Sequence, residues 1–151
     1  MDPRSDRYWM KLALAQARKS LPDDVPVGAL VVRENILLGR GHNQRERRID
    51  PTLHAEILAL RAAARNLGNW YLDDCTLYVT LEPCPMCAGA LFQARLARVV
   101  WGAADPKGGA FGGVVDLNAY PFPHHLQVEG GVLAQECATL LRDFFRARRG
   151  G

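Results

Sequence analysis

What most constrains this chain is that two distant segments have to meet. His54-Ala55-Glu56 lies near the middle, and Pro83-Cys84-Pro85-Met86-Cys87 follows one strand later. Together they supply one imidazole, one carboxylate and two thiols. A metal ion with three protein ligands and an open fourth position is satisfied by His54, Cys84 and Cys87. Glu56 is then free to move protons without binding the ion. Local signals say how the segments converge. Asp50-Pro51-Thr52 reads as a turn and helix start, and an apolar period at Ile57, Leu60, Ala64 and Leu67 runs up to Gly68, which stops it. His54 and Glu56 then fall in the first turn, on nearly opposite sides, and share a site only off the helix tip. Cys84 and Cys87 share one face of a second helix, with Pro85 in its first turn. Two helix N-termini would meet at the ion, and their dipoles favour thiolate.

Each motif alone says little. His-x-Glu is common by chance, and Cys-x-x-Cys serves redox, structural-metal or no chemistry. Their order, with Pro83 before the first cysteine, points to a catalytic zinc site with one Zn²⁺ per chain. A closed structural site would need a fourth ligand, and the remaining candidates are poorly placed. Cys75 opens an expected strand, Thr76–Thr80. Cys137 falls on the apolar stripe Leu133, Cys137, Leu140, Leu141, Phe144 of an expected last helix. His42, His124 and His125 fall in expected loops.

The other elements can be read in order. A first helix is expected from about Arg7 to Leu21, capped by Asp6, with Tyr8, Leu12, Ala15 and Lys19 on its buried stripe. Val27–Val32 and Ile36–Leu38, separated by Arg33-Glu34-Asn35, predict a hairpin. After the two metal helices come a strand at Arg98–Trp101, a glycine-rich loop over Gly102–Gly113, a short strand near Leu126–Val128 and a long helix from about Val132 to Arg148. Two leading strands followed by strand–helix alternation imply an α/β fold. The expected architecture is three α/β/α layers around a mixed, roughly five-stranded sheet.

A length of 151 residues suits one domain, expected to span residues 1–151. The start has no apolar signal-peptide core, and no stretch is long enough to cross a membrane. Two cysteines belong to the motif and the other two make no disulfide framework, so the cytoplasm is the expected compartment. The net charge of +3 is too small to indicate nucleic-acid binding by itself. Its distribution says more: Arg45, Arg47 and Arg48 cluster in one loop, and Arg142, Arg146, Arg148 and Arg149 crowd the C-terminus. Two basic clusters beside such a site favour a nucleic-acid partner.

His-x-Glu followed by Pro-Cys-x-x-Cys is the zinc nucleobase deaminase pattern. The chain resembles the bacterial tRNA-specific adenosine deaminases of the cytidine-deaminase-like superfamily, from about Tyr8 to Arg149. The segments that carry the resemblance are Val25-Pro26-Val27-Gly28-Ala29, Asp50 to Ile57, Tyr78 to Ala90, and Phe144-Phe145-Arg146. It implies a homodimer that converts adenosine to inosine at the first anticodon position of a tRNA anticodon stem-loop. It also implies substrate roles. Asn43 would contact base or ribose, Val27 would wall the base, and Asp105 would lie near the substrate backbone. Phe145 would stack on a flanking base, with Arg148 and Arg149 on phosphate. From the residues alone, Asn43 and Asp105 also suit turns, and Phe145 also suits core packing. Where that family carries a Thr and a Ser after the fourth strand, this chain has Gly108 and Gly113.

Two other functions fit the same residues. One is a deaminase of a free nucleobase or nucleoside, of guanine or cytosine type, because the zinc chemistry is shared. The other is a zinc-stabilised binding module without catalysis, against which an acid beside an open metal position argues.

Overall fold

The computed structural model describes residues 4–150, so the ends of the expected domain, residues 1–3 and 151, lie outside it. The chain alternates helix and strand much as its sequence predicts: α1 (Asp6–Arg18), β1 (Gly28–Arg33), β2 (Ile36–His42), α2 (Ala55–Leu67), β3 (Thr76–Leu81), α3 (Pro85–Gln93), β4 (Arg98–Ala103), β5 (Gln127–Glu129) and α4 (Ala134–Gly150), with a short 3₁₀ turn at Leu117–Ala119. The sheet is mixed and five-stranded, in the order β2-β1-β3-β4-β5. β1 runs antiparallel to β2 and β3, while β3, β4 and β5 are parallel. The hairpin turns at Glu34 and Asn35, both at positive φ, which suits the tight turns that match strand twist.

Two apolar layers sandwich the sheet. On one side α2 and α3 pack through Ala55, Ala59, Ala63, Ala88 and Leu91 onto Val31, Leu77, Val79 and Val99. On the other, α1 and α4 pack through Met10, Ala13, Leu14 and Cys137 onto Leu30, Tyr78 and Val100. Burying a large side chain of this kind is worth about 1.5–3 kcal/mol. The first layer is unusually close. A Cβ at Gly39 or Gly41 would run into the α2 backbone at Ala59, Ala63 or Ala55. Small residues on both elements therefore let α2 lie against β2, which draws the tip of α2 to the end of the sheet where the loop after β2 begins.

Three sequence expectations need correction. The buried face of α1 is Trp9, Met10, Ala13, Leu14, Gln16 and Ala17, while Tyr8, Leu12, Ala15 and Lys19 are exposed. Both faces carry apolar residues at helical spacing, and the tightly packed sheet selects the one with Met10 and the alanines. The α1 cap is Ser5, whose Oγ accepts from the Tyr8 N–H, rather than Asp6. Asp6 instead binds Arg98 through both guanidinium nitrogens, at 3.0 and 2.7 Å, and accepts from the Tyr78 hydroxyl. Third, His42 ends β2 rather than lying in a loop. Cys137 is a core residue, as expected, and Cys75, directly before β3, is buried as well; Cys137 lies directly beneath Gly102.

Candidate active site

The metal-type donors converge because two helices begin at one place. His54 is the N-cap of α2 and Cys84 the N-cap of α3, with Pro85 opening α3. Neither side chain caps its own helix. Ser, Thr, Asp or Asn normally fills such positions, so both caps are given over to another purpose. This also settles the spacing of His54 and Glu56. His54 has extended backbone, φ −77° and ψ 158°, and does not follow helical geometry, so it and Glu56 reach the same point.

His54 Nδ1 lies 3.6 Å from Cys84 Sγ and 3.5 Å from Cys87 Sγ. One donor atom from each of the three residues lies within 4.8 Å of the others. Tetrahedral zinc with ordinary Zn–N and Zn–S lengths sets N···S edges of about 3.6 Å, so the donor set fits the ion. Its electrostatics agree. The Cys84 thiol is drawn down to about 4, chiefly by the hydrogen bond from Cys87 and also by His54. Cys87 is pushed up by that same contact and by burial. The pair holds one negative charge readily and resists a second, and a cation is what makes both thiolates favourable. The contact with Cys84, partly offset by burial, raises His54.

Glu56 stands beside these donors and is 4% exposed. Burial, reinforced by the nearby Cys84 charge, raises its carboxyl to about 7. A group that exchanges protons near neutral pH is suited to general acid–base work. In front of it opens a pocket of about 160 Å³ walled by Val25, Val27, Asn43, Arg45, Leu81 and Asp105. That is below the usual range for drug-sized ligands, about 300–1,000 Å³, and suits a single ring system.

Of the other expected site residues, Val27, Asn43 and Asp105 line this pocket, Phe145 and Arg148 line a neighbouring cavity, and Arg149 lines neither. Val27 is 8% exposed and lines it just ahead of β1. Asn43 donates to Val25 O and accepts from the Arg45 N–H, so it holds the turn while one amide hydrogen remains for a ligand. Asp105 likewise does both: its Oδ1 accepts from Lys107 and Gly108 N–H while the residue lines the wall. Phe144 and Phe145 divide two tasks. Phe144 is 8% exposed and packs under α4, while Phe145 is 45% exposed. It lines a second cavity that shares Val25, Asn43 and Arg45 with the first. Arg148 stacks on Phe144 and donates to Asp23 O, and Arg149 is exposed on the last turn.

Sequence reasoning missed two buried acids that hold the pocket walls. Asp24, with no exposure, accepts from Glu46 and Arg47 N–H and pins the loop after β2. Glu82, 3% exposed, accepts from the N–H groups of Asp105, Phe111 and Gly113, each at 2.9 Å, and pins the loop after β4. Gly109 passes so close that any Cβ would strike the Glu82 carboxylate, and a Cβ at Gly113 would strike Asp105 O. This loop therefore has no room for a side chain at position 113. The available signal was an acid at a strand end directly before Pro83-Cys84.

Comparison with known proteins places this geometry. The MafB19-like deaminase family matches residues 4–149. The tRNA-specific adenosine deaminase of Bacillus subtilis is 44% identical over 146 residues, covering 95% of this chain and 91% of that protein. The chain belongs to the tRNA-specific adenosine deaminase family. The chain also matches a structure solved in a study of A-to-I editing by tRNA deaminases at the wobble position. That match has a TM-score of 0.86 and 41% identity, over 89% of this chain and 99% of the other. A Deinococcus radiodurans protein named tRNA(Ile)-lysidine synthase is 50% identical over 145 residues, but the deaminase spans only 25% of its length.

Proposed function

We propose that the chain catalyses zinc-dependent hydrolytic deamination of adenosine to inosine at the first anticodon position of tRNA. The observation that carries the reading is one partly buried corner where His54, Cys84 and Cys87 can hold an ion, with the buried Glu56 beside it in a base-sized pocket. His54, Cys84 and Cys87 hold one Zn²⁺ per chain. When bound there, zinc supplies the Lewis acid that makes water a competent nucleophile at neutral pH. Glu56 takes the proton from the attacking water and delivers it to N1 of adenine, so that C6 becomes electrophilic as the C6–O bond forms. Glu56 then carries the remaining proton of the new C6 hydroxyl to the exocyclic nitrogen, the C6–N bond breaks as the C6 carbonyl forms, and ammonia leaves, with inosine as product keeping its N1 proton. Val27 packs on the base and Asn43 binds base or ribose. Asp105 faces the substrate backbone, Phe145 stacks on a flanking base, and Arg148 and Arg149 meet phosphate.

The same reading treats residues 1–151 as one domain acting in the cytoplasm as a homodimer. In support of the dimer, α2 and α3 leave an apolar groove of about 420 Å³ on the surface, bordered by Ile57, Leu60, Ala64 and Ala90. Trp70, 63% exposed, stands beside it. No described helix is long and apolar enough to cross a membrane.

The test is incubation of the purified protein with bulk tRNA followed by nucleoside analysis, with free guanine, cytosine and adenosine assayed in parallel for ammonia. Inosine in tRNA is the expected result. Ammonia from a free base without inosine in tRNA would favour the free-base deaminase, and no ammonia from any substrate would favour the non-catalytic module.

A further inference from the structure

A second concave surface lies away from the active pocket. α1 and α2 cover opposite faces of the sheet and overhang β2, its edge strand. Between them is a groove of about 460 Å³. Lys19 from the C-cap of α1, Arg40 from β2, Arg48 from the following loop, and Arg61 and Arg65 from α2 line it. All five side chains are exposed. Among the described residues none of them joins an ion pair, since those pairs involve only Arg47 and Arg98. No acid lines the groove. Asp50, on the neighbouring loop, feels the Arg61 charge but stands outside.

We propose that this groove holds the sugar-phosphate backbone of the RNA substrate beyond the loop that enters the active pocket. The inference rests on the tRNA-deaminase reading above. Three observations favour it. A concave surface lined by unpaired cations and no anion focuses a field that attracts polyanions. Its five cations outnumber its neutral polar side chains, Gln16, His42 and Gln44, as expected of a surface that positions RNA chiefly through phosphate. One loop also serves both cavities: Asn43 and Arg45 line the pocket, while Gln44 and Arg48, from the same loop, line the groove. Asp24 pins that loop from beneath. A strand leaving the pocket crosses from Arg45 to Arg48 and enters the groove.

The competing account is protection of an edge strand, because charged side chains discourage sheet-to-sheet pairing. Only Arg40 projects from the strand itself. The other four come from elements on both sides, which edge protection does not require.

The experiment replaces Lys19, Arg40 and Arg65 together with Gln in the full chain, at positions remote from the metal corner. Binding of a full tRNA transcript and of its isolated anticodon stem-loop is measured across salt concentrations, beside inosine formation. Each lost phosphate contact makes the slope of log affinity against log salt shallower by roughly 0.9, so the triple variant is expected to lose about 2–3 in slope on full tRNA. Its KM rises, and the short stem-loop loses much less. A charge-preserving variant, Lys19→Arg with Arg40→Lys and Arg65→Lys, is expected to bind as the unchanged protein and so controls for folding. Equal affinity and slope for the Gln variant and the unchanged protein would overturn the proposal. Self-association of the Gln variant with RNA binding intact would also overturn it, in favour of edge protection. The two readings fail separately: groove-dependent binding without inosine sinks the enzymatic reading, and inosine with an unaltered salt slope sinks the groove.

Discussion

The metal corner and the rim of the same pocket are held by different means. At the corner, two helix caps and two first-turn residues supply every group: backbone geometry within a few residues aims each pair, and the packing of α2 and α3 joins the pairs across 30 residues. At the rim, the loops after β2 and β4 carry Asn43, Arg45 and Asp105. They are held by Asp24 and Glu82, which reach across 22 to 31 residues of sequence. A chemical centre built at helix tips depends on local order to aim its groups and on helix packing to join them. A binding surface built on loops depends on buried anions that serve as anchors.

The sharpest way to break this comparison is to remove the proposed proton carrier while leaving the corner intact. Glu56→Ala is expected to keep its metal and its RNA affinity while turnover falls by about 10²–10⁴. Metal analysis and single-turnover inosine formation check this, and a variant retaining more than a few per cent of turnover would exclude Glu56 as the carrier. Cys84→Ala should instead lose the metal and destabilise the fold, because metal binding and folding are coupled.

The next effect tests the rim anchor. Glu82→Gln puts an amide donor against N–H groups that now point at a carboxylate, and hydrogen bonds to a charged group are worth about 1.5–3 kcal/mol each. Faster amide exchange is expected at Asp105, Phe111 and Gly113, with kcat/KM reduced and zinc content unchanged. If exchange there stays slow, the anchor role is wrong. Smaller again is Phe145→Ala, expected to weaken anticodon stem-loop binding by about 1–3 kcal/mol, the usual worth of base–aromatic stacking. Truncation after Phe144 should weaken it further and flatten the salt dependence, because Arg146, Arg148 and Arg149 go too. Unchanged affinity in both would remove α4 from the RNA surface.

The smallest effect lies far from both regions. Arg98, by direct hydrogen bonding, holds the Asp6 carboxyl below its ordinary value. The pair's stabilisation is therefore present above the unfolded-state value, about 3.9, and is lost as pH falls through the lower native value. Asp6→Asn is expected to cost about 1–2 kcal/mol at neutral pH, and the difference from the unchanged protein should shrink in acid. Denaturant titrations at both pH values check it. An effect as large as that of Glu82→Gln would mean that distant packing matters as much as the rim anchors.

Particular residues show where sequence reading sufficed. Gly68 stops α2 in left-handed backbone, as expected of a helix-ending glycine. Pro85 opens α3, and the Glu34-Asn35 turn joins the hairpin. The mixed sheet followed from strand–helix alternation, because parallel strands need crossovers and a hairpin does not. Each of these signals acts over a few residues. The face of α1 was misread because helical periodicity fits two adjacent stripes, and the packed sheet chose between them. Whether Phe144 or Phe145 stays in solvent was decided in the same way.

By itself, then, the sequence determined the order of elements and pointed to the candidate donor set His54, Cys84 and Cys87 with Glu56, since spacing and helix-start chemistry are local. Only the tertiary structure decided that His54 serves as a cap, so that it and Glu56 reach one point. It also assigned Asp24 and Glu82 to hold the pocket walls, and gathered Lys19, Arg40, Arg48, Arg61 and Arg65 from four elements into one groove. Those outcomes depend on which distant segments share a face, and short-range propensity carries no record of that.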